Sequence, residues 1–288
     1  MRHTFTLILV TFIFLNCCKA QTIDWKAREI KHDTDLLKTT TWLILSYDTS
    51  KHNPKFGTGT GYFYYSSKSK KIFLVTNAHV VSDFDLIKFG FENNKTRTNS
   101  FAVNNFQNKV YRFFNDTVDL AMIDLSNIDG LDFRNCDMKC FTNSNIPRVS
   151  DLSSIDLFRE NLICLSFPNF NIFPPNNSPF IIHGTFATSY SKDFWNKNEF
   201  CINGNLFASC SGSPIIDIIN LKGVKSYYLL GTYYFGFAQY RNVDSVGFGD
   251  SGFLNRISAE SLKAILIDVQ IGRVIKSSAL YDIIKQRK

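Results

Sequence analysis

The sequence predicts an all-β protein, and three observations support this prediction. Short apolar and aromatic runs recur along the 288-residue chain. Asn, Ser, Gly, Lys and Pro separate these runs, as turn residues separate the strands of a barrel or sandwich. Helical periodicity is confined mainly to the C-terminal end, so alternating strands and helices are not expected.

The first twenty residues have the features of a secretory signal. Arg2 and His3 form a short basic start, residues 5–15 are almost entirely apolar, and Ala20 is a small residue at the cleavage position. A helix needs roughly 20 apolar residues to cross a bilayer, and this run is shorter. We therefore expect cleavage after Ala20 and export of residues 21–288 as a secreted or periplasmic domain.

Two alternatives apply to this leader. A short membrane anchor is disfavoured by the length of the apolar run. Lipid attachment through Cys17 or Cys18 is disfavoured by Asn16, because such sites usually carry a small residue there. The segment 21–37 is a candidate pro-peptide, although it carries no firm processing signal.

Charge and composition narrow the classes of partner. The chain has 32 basic and 25 acidic residues, and cleavage would remove Arg2, Lys19 and no acid, which leaves 30 against 25 and a net charge of +5. The basic residues are scattered and form no long stripe with interleaved aromatics, so nucleic acid is not expected as a partner. The 44% hydrophobic content is ordinary for a globular domain with a sizeable core.

Five cysteines lie beyond the leader. They are Cys136, Cys140, Cys164, Cys201 and Cys210. Cys136 and Cys140 are close enough in sequence to close a small disulfide loop in an oxidising compartment, and the odd number leaves at least one thiol without an intramolecular partner. No second pair of ligands with zinc-site spacing follows, so neither a metal nor a cofactor is expected.

Eight runs are the clearest predicted strands. They are residues 41–47, 61–65, 71–76, 86–91, 120–123, 162–165, 180–182 and 227–234. Ser258, Glu260, Leu262, Ile265 and Leu266 are spaced like an amphipathic helix with a polar start. A second short helix is predicted over 278–285.

Three segments carry residues with catalytic chemistry. The first is TNAHVV (76–81), in which a predicted strand leads into His79. An imidazole can accept and return a proton near neutral pH, which suits a general base and acid. Taken alone, a histidine after a strand is more often structural or on the surface.

The second segment is VDLAMI (118–123), in which Asp119 enters an apolar strand. A carboxylate that becomes partly buried needs a hydrogen-bond donor, and an imidazole N–H would supply one. Taken alone, this residue would more simply be a turn aspartate or a strand cap.

The third segment is CSGSPI (210–215), in which Ser211 lies in a tight turn before an apolar strand. Such a bend presents a hydroxyl outward and points successive backbone N–H groups into one small cavity. These groups stabilise the oxyanion of acyl transfer by about 3 kcal/mol per donor.

The order His, Asp, Ser is the one found in chymotrypsin-like proteases, whereas subtilisins and α/β-hydrolases use other orders. TNAHVV resembles the Ala-His motif of this superfamily, VDLAMI its Asp-Leu-Ala motif and CSGSPI its Gly-X-Ser-Gly-Ser-Pro motif. The chain is thus similar to the chymotrypsin/trypsin-like serine peptidases, most closely to the bacterial glutamyl-endopeptidase and HtrA-like branches. The resemblance covers about residues 38–266.

The resemblance implies two packed six-stranded antiparallel β-barrels followed by a C-terminal helix. Barrel one would cover about 38–140, barrel two about 155–257 and a helical tail 258–288, all within one domain of residues 21–288. His79 and Asp119 would lie on barrel one and Ser211 on barrel two. Residues 252–257 would form the last strand before the tail.

The resemblance also implies roles for individual residues. Ser211 would attack the scissile carbonyl, His79 would take its proton and Asp119 would orient the imidazole. The backbone N–H groups of Ser209 and Ser211 would form the oxyanion hole. Tyr234, Phe235 and Gly236 would bind the backbone of a protein or peptide substrate by β-addition, and Asn205 would lie near the floor of the specificity pocket.

Three positions depart from the family pattern. Ser209 replaces a usual Gly, so some backbone strain is expected there. Cys210 replaces the Asp that pairs with a new N-terminus in trypsin-type members, and it is expected as a buried thiol or in a disulfide with Cys201. Tyr233 stands where glutamyl endopeptidases carry a His, so a strict preference for Glu is not expected.

The sequence therefore predicts an exported serine endopeptidase. The main alternative is a protease-like binding protein in which the changes at Ser209 and Cys210 have abolished turnover. An esterase that uses the same triad is a third hypothesis, because ester and amide hydrolysis need the same residues.

Overall fold

The computed structural model describes residues 28–46, 56–82, 84–91, 100–112, 118–126, 136–151, 161–167, 178–206, 210–221, 223–241 and 265–286. The strands in these ranges are β1 Thr40–Ser46, β2 Phe56–Ser66, β3 Lys71–Thr76, β4 Leu86–Phe91, β5 Ser100–Asn104, β6 Val110–Arg112, β7 Ala121–Asp124, β8 Phe141–Thr142, β9 Leu162–Ser166, β10 Phe180–Phe186, β11 Glu199–Gly204, β12 Pro214–Leu221, β13 Val224–Arg241 and β14 Ile265–Lys276. The α-helices are α1 Asp33–Leu36, α2 Ala78–Val81 and α3 Ala279–Gln286. Short 3-10 segments are Leu37–Thr39, Phe106–Lys109, Asn143–Asn145 and Val149–Asp151.

The N-terminal half forms one curled sheet. Its strands follow the order β5-β4-β1-β2-β3-β7-β6, and β8 adds to β2 in parallel. The two edge strands, β5 and β6, are consecutive in sequence and are joined only by residues 105–109. Because five residues span at most about 18 Å, the two edges of the sheet must curve towards each other. The described strands therefore form a half-barrel.

The C-terminal half forms a closed barrel of six strands in the order β10-β11-β14-β13-β12-β9. All its ladders are antiparallel, and β9 pairs with both β10 and β12 to close the ring. Full closure removes exposed sheet edges, which are sites of unwanted strand pairing.

The apolar runs are continuous because several strands of the half-barrel are buried on both faces. In β3, Ile72 and Leu74 point into the half-barrel, whereas Phe73 and Val75 point towards the closed barrel. Successive strand side chains alternate between faces, so a strand between two cores is apolar at every position. This explains the runs that the sequence presents over 71–76 and 120–123.

A shared core joins the two halves. Tyr62 of β2 and Ile216 of β12 both belong to it, as does Leu280 of α3. The hydroxyl of Tyr62 is hydrogen-bonded to Thr232 Oγ1 on β13 at 2.8 Å. The C-terminal helix thus packs against both halves of the molecule.

The predicted all-β class, with two β units and a C-terminal helix, is confirmed by these elements. The resemblance implied a closed six-stranded first barrel, whereas the described strands of that half form an open, curled sheet of eight. The helix predicted over 278–285 is present as α3.

The helix predicted from Ser258 to Leu266 is wrong at its C-terminal end, because Ile265 and Leu266 begin strand β14. Barrel two consequently extends to Lys276, well past the expected boundary at 257, and the helical tail is shorter than 258–288. From Ile267 to Ile271 the apolar residues alternate with polar ones, which is strand periodicity. Pairing with β11 and β13 on both sides outweighs the local helical spacing. Residues 252–264 lie outside the described ranges.

The cysteines in the described ranges are buried thiols rather than disulfides. The Cys136–Cys140 and Cys201–Cys210 bridges considered above are therefore not formed. Burial raises the pKa of Cys140 to about 12 and raises the pKa values of Cys164 and Cys201. Because the thiolate is the reactive form, these three thiols are poor nucleophiles.

Among the described residues, no helix has both the length and the apolar content that a bilayer span requires.

Candidate active site

His79 lies in α2, the single helical turn that follows β3. Asn77 precedes this turn in an extended conformation, with φ −79° and ψ 151°. Its side chain does not cap the helix; its Nδ2 donates to the backbone oxygen of Asp119 at 2.7 Å. The chain thus leaves a buried strand and presents the His79 side chain, which is 51% exposed, at the surface of the half-barrel.

Asp119 holds His79 at two points. Its Oδ2 lies 2.5 Å from His79 Nδ1, and its Oδ1 accepts the backbone N–H of His79 at 2.8 Å. The carboxylate therefore fixes both the ring and the peptide that carries it. A bond from Nδ1–H to a carboxylate selects the tautomer in which Nε2 is free of a proton and can accept one. The pairing is the chemical arrangement of an oriented general base.

Ser211 lies in a tight turn before β12. The N–H of Ser213 donates to the Cys210 carbonyl at 3.0 Å, and Gly212 has φ +91°. A positive φ at the third position is the signature of a type II turn, for which Gly is favoured. A Cβ on Gly212 would overlap the Thr60 carbonyl oxygen and Thr76 Oγ1. Gly212 is thus needed both for its φ and for its lack of a side chain.

The turn with Ser211 is anchored to the half-barrel. The Ser211 carbonyl accepts the backbone N–H of Thr60 at 2.9 Å. Neighbouring Gly59 lies between Val80, which follows His79, and Ser211: a Cβ there would be 2.8 Å from Val80 Cγ1 and 3.4 Å from the Ser211 oxygen. The segments that carry His79 and Ser211 therefore adjoin the same two residues of β2.

The Ser211 hydroxyl is not hydrogen-bonded to His79 within the described part of the chain. Its Oγ donates to the backbone oxygen of Tyr234 at 3.5 Å, which is a long and weak bond. Catalytic hydrogen bonds are often long or misaligned without substrate and tighten when substrate binds. Rotation about the Cα–Cβ bond of Ser211 would redirect this hydroxyl.

Tyr234 lies beside both Asp119 and Ser211. Burial, its hydrogen bond to Glu199 and the charges of Glu199 and Asp119 raise the pKa of Tyr234. Its hydroxyl donates to Glu199 Oε2 at 2.9 Å, and its ring lies 5.2 Å from the Arg273 guanidinium. Glu199 also accepts from Arg273 Nε at 3.0 Å. This buried ion pair fixes Tyr234 at the junction of the two halves.

β13 extends past the end of its ladder with β12 next to Ser211. Pairing of β13 with β12 ends at Pro214↔Thr232, whereas pairing with β14 continues through Phe235↔Arg273 and Gly236↔Gly272. Tyr234 is the extra residue of a bulge between Tyr233 and Phe235. Within the described strands, the segment 234–236 therefore runs beside β14 and lies beyond the end of the ladder with β12.

The structure brings some of the predicted site residues together and leaves others apart. His79 and Asp119 are in direct contact, and Ser211 lies on the adjoining turn. The segment of β13 near this turn contains Tyr234, Phe235 and Gly236, and Phe235 is 48% exposed. Asn205 is exposed immediately after β11. Ser209 lies outside the described residues.

Sequence reasoning missed the residues that position this site. Asn77 lies within the TNAHVV motif, and a polar residue between an apolar strand and a histidine is a signal that could have identified it. Thr60 gives no such signal, because its role depends on contacts with Ser211 and with Phe167, whose N–H donates to Thr60 Oγ1 at 3.0 Å. Glu199 and Arg273 are also far apart in sequence.

Comparison with known proteins gives matches among solved structures alone. No family model matches the sequence, and no curated protein matches it. An inactivated protease paralogue of the scabies mite, S-I1, matches with a TM-score of 0.47 and 16% identity over 90% of this chain and 99% of its own. The HtrA-type protease AlgW with tripeptide matches with a TM-score of 0.48 and 11% identity over 87% of this chain and 60% of its own. At these identities the likeness concerns the fold alone.

Proposed function

We propose that this chain is a serine endopeptidase in which His79, Asp119 and Ser211 act together. The observation that carries the proposal is the two-point hydrogen bonding of His79 by Asp119, next to the turn that bears Ser211. A carboxylate that holds an imidazole in one tautomer beside a turn-borne hydroxyl is the arrangement of an activated nucleophile.

The reaction would proceed through an acyl-enzyme. Ser211 Oγ attacks the scissile carbonyl carbon while His79 Nε2 takes the hydroxyl proton, and Asp119 stabilises the imidazolium. The backbone N–H groups of Ser209 and Ser211 would hold the oxyanion. His79 then gives its proton to the leaving amine as the C–N bond breaks. Water, deprotonated by His79, cleaves the acyl ester and restores the Ser211 hydroxyl.

A peptide substrate would bind along the part of β13 that extends past β12. The ladder with β12 ends at Thr232, whereas β14 accompanies β13 through Gly236 and beyond. An extended peptide alongside the segment 234–236 would bring one peptide carbonyl towards Ser211. This binding mode favours peptide bonds over small esters as substrates.

A protease-like binding protein is the second candidate function. The observation that favours it is that Ser211 Oγ donates to the Tyr234 carbonyl rather than to His79. In such a protein the segment 234–236 of β13 would still bind an extended peptide, but no acyl-enzyme would form.

Labelling with a fluorophosphonate probe separates the two candidates. We expect wild-type protein at neutral pH to be labelled at Ser211, and Ser211→Ala to lose the label completely, because the probe phosphonylates an activated serine. Ser213→Ala and Cys210→Ala are the matched controls from the same turn and should retain labelling. Mass spectrometry of the labelled peptide identifies the residue.

Absence of labelling in wild-type protein would contradict the enzyme and favour the binding protein. Removal of the whole candidate pro-peptide 21–37 is not a suitable test, because this segment contains α1 and Leu36 of the shared core. If labelling occurs, comparison of peptide and ester substrates of the same sequence then distinguishes an endopeptidase from an esterase.

We also propose that the protein is exported and begins at Gln21. The basic start, short apolar run and Ala20 support this proposal. N-terminal sequencing of the protein recovered outside the cytoplasm is expected to read Gln21-Thr22-Ile23. A protein that retains Met1 or carries a lipid on Cys17 or Cys18 would contradict it.

A further inference from the structure

Two glycines face each other across the strands beside Ser211. Gly236 of β13 is the register partner of Gly272 of β14. Neither residue has a side chain, so this part of the barrel wall would be open if no other group covered it. The pair lies at the segment 234–236, in which the Tyr234 carbonyl accepts from Ser211 Oγ.

The ring of Tyr233 fills this opening. A Cβ on Gly236 would lie 2.9 Å from Tyr233 Oη, and a Cβ on Gly272 would overlap the Tyr233 ring and lie 3.0 Å from Leu206 Cδ1. Tyr233 is only 4% exposed and belongs to the core of the closed barrel together with Leu206 and Cys210. The two glycines therefore accommodate Tyr233 rather than leaving an empty slot.

Backbone hydrogen bonds hold Tyr233 next to the turn with Ser211. The Tyr233 carbonyl accepts the N–H of Gly212 at 2.9 Å, and its N–H donates to the Ser213 carbonyl at 2.9 Å. These two bonds involve the two residues that follow Ser211, and they set where the Tyr233 side chain enters the barrel. A substrate residue whose carbonyl reaches Ser211 would thus meet the Tyr233 ring where its own side chain turns towards the barrel.

The neighbouring core offers little additional room. A neighbouring cavity measures about 10 Å³, and its lining includes Leu206, Cys164, Ile202 and Ile215. That volume holds about one water molecule and no side chain. Within the described part of this barrel, a large substrate side chain could enter between the two glycines only if Tyr233 moved out of a core packed at ordinary protein density.

We propose that Tyr233 is the specificity-determining residue and restricts the residue on the acyl side of the cleaved bond to Gly, Ala or Ser. This inference rests on the proposed peptidase function and names its substrate class. It replaces the expectation that Asn205 sets the pocket floor, since Asn205 is exposed whereas Tyr233 occupies the space between the glycines.

Peptidyl diphenyl phosphonates with Ala or Phe at the acyl-side position test the proposal. Wild-type protein should react with the Ala reagent at least about 100-fold faster than with the Phe reagent, because a pocket too small for a side chain discriminates by at least this factor. Tyr233→Ala should react faster with the Phe reagent than wild type does, so the ratio of the Ala rate to the Phe rate should fall at least tenfold. Tyr233→Phe keeps the ring and should keep the wild-type ratio.

Two controls make failure interpretable. Tyr190→Ala removes an equally large ring from the same core, away from the glycine pair, and should leave the ratio unchanged. The fluorophosphonate probe has no substrate side chain, so it reports the nucleophile alone. If wild-type protein does not react with the fluorophosphonate probe, the proposed peptidase function is wrong. If it reacts with this probe but reacts equally fast with the Ala and Phe phosphonates, the proposed role of Tyr233 is wrong. If Tyr233→Ala does not fold, Tyr233→Leu removes the ring with a smaller loss of core volume and should narrow the ratio in the same direction.

Discussion

Replacing Asp119 by Asn is expected to lower kcat/KM for a peptide substrate about 10⁴-fold. Asp119 accepts two hydrogen bonds, from the backbone N–H and from Nδ1 of His79. An amide has one acceptor oxygen, so its NH₂ group must face one of these nitrogens. If it faces Nδ1, the ring carries its proton on Nε2 and cannot accept the proton of Ser211.

Kinetics with the best peptide substrate measures this effect, and circular dichroism should show an unchanged fold. Asp33→Asn is the matched control, because it removes a carboxylate that pairs with Lys225 at 2.5 Å on the surface. Exposed ion pairs contribute little, so this variant should retain the wild-type rate. Full activity of Asp119→Asn would show that Asp119 is a structural residue and would contradict the proposed roles.

Gly212→Ala is expected to destabilise the protein by about 3 kcal/mol or more and to abolish probe labelling. Two costs combine: a non-Gly residue at φ +91° is strained, and its Cβ would overlap the Thr60 carbonyl oxygen. Relief of this overlap would displace the turn from β2, and Ser211 would move with it. Urea unfolding, with the slope unchanged, measures the stability.

Gly223→Ala separates the two costs. Gly223 has φ +83°, but a Cβ there would meet no atom within 4 Å. It therefore carries the backbone strain without the overlap, and we expect a loss of only about 1 kcal/mol with normal labelling. Equal destabilisation by the two substitutions would show that the contact of Gly212 with Thr60 is unimportant.

Much of the strand pattern was predictable because burial on both faces makes a strand apolar at every position. The runs 71–76 and 86–91 coincide with β3 and β4. The prediction failed at β14, where a few residues with helical spacing lie next to a longer alternating segment. Such local ambiguity is resolved by pairing with other strands, and the partners of β14 come from 199–204 and 224–241.

The candidate site was predictable in its reactive residues and not in their supports. His79, Asp119 and Ser211 lie in short motifs whose order along the chain is itself informative. Thr60 and Tyr233 lie in ordinary strand sequence, and nothing near them in the chain indicates a role. Their importance comes from contacts with a turn more than a hundred residues away for Thr60, and from two facing glycines for Tyr233.

The all-β class, most of the strands and the three residue types that could act on a carbonyl can be predicted from the amino-acid sequence. These properties follow from alternation, turn chemistry and motif order, which are local along the chain. Three further features appear in the folded chain alone: Asp119 binds His79 through both carboxylate oxygens, β13 extends past β12 beside Ser211, and the Tyr233 ring lies between two facing glycines. Each of these depends on close packing between segments distant in sequence, which no local pattern encodes.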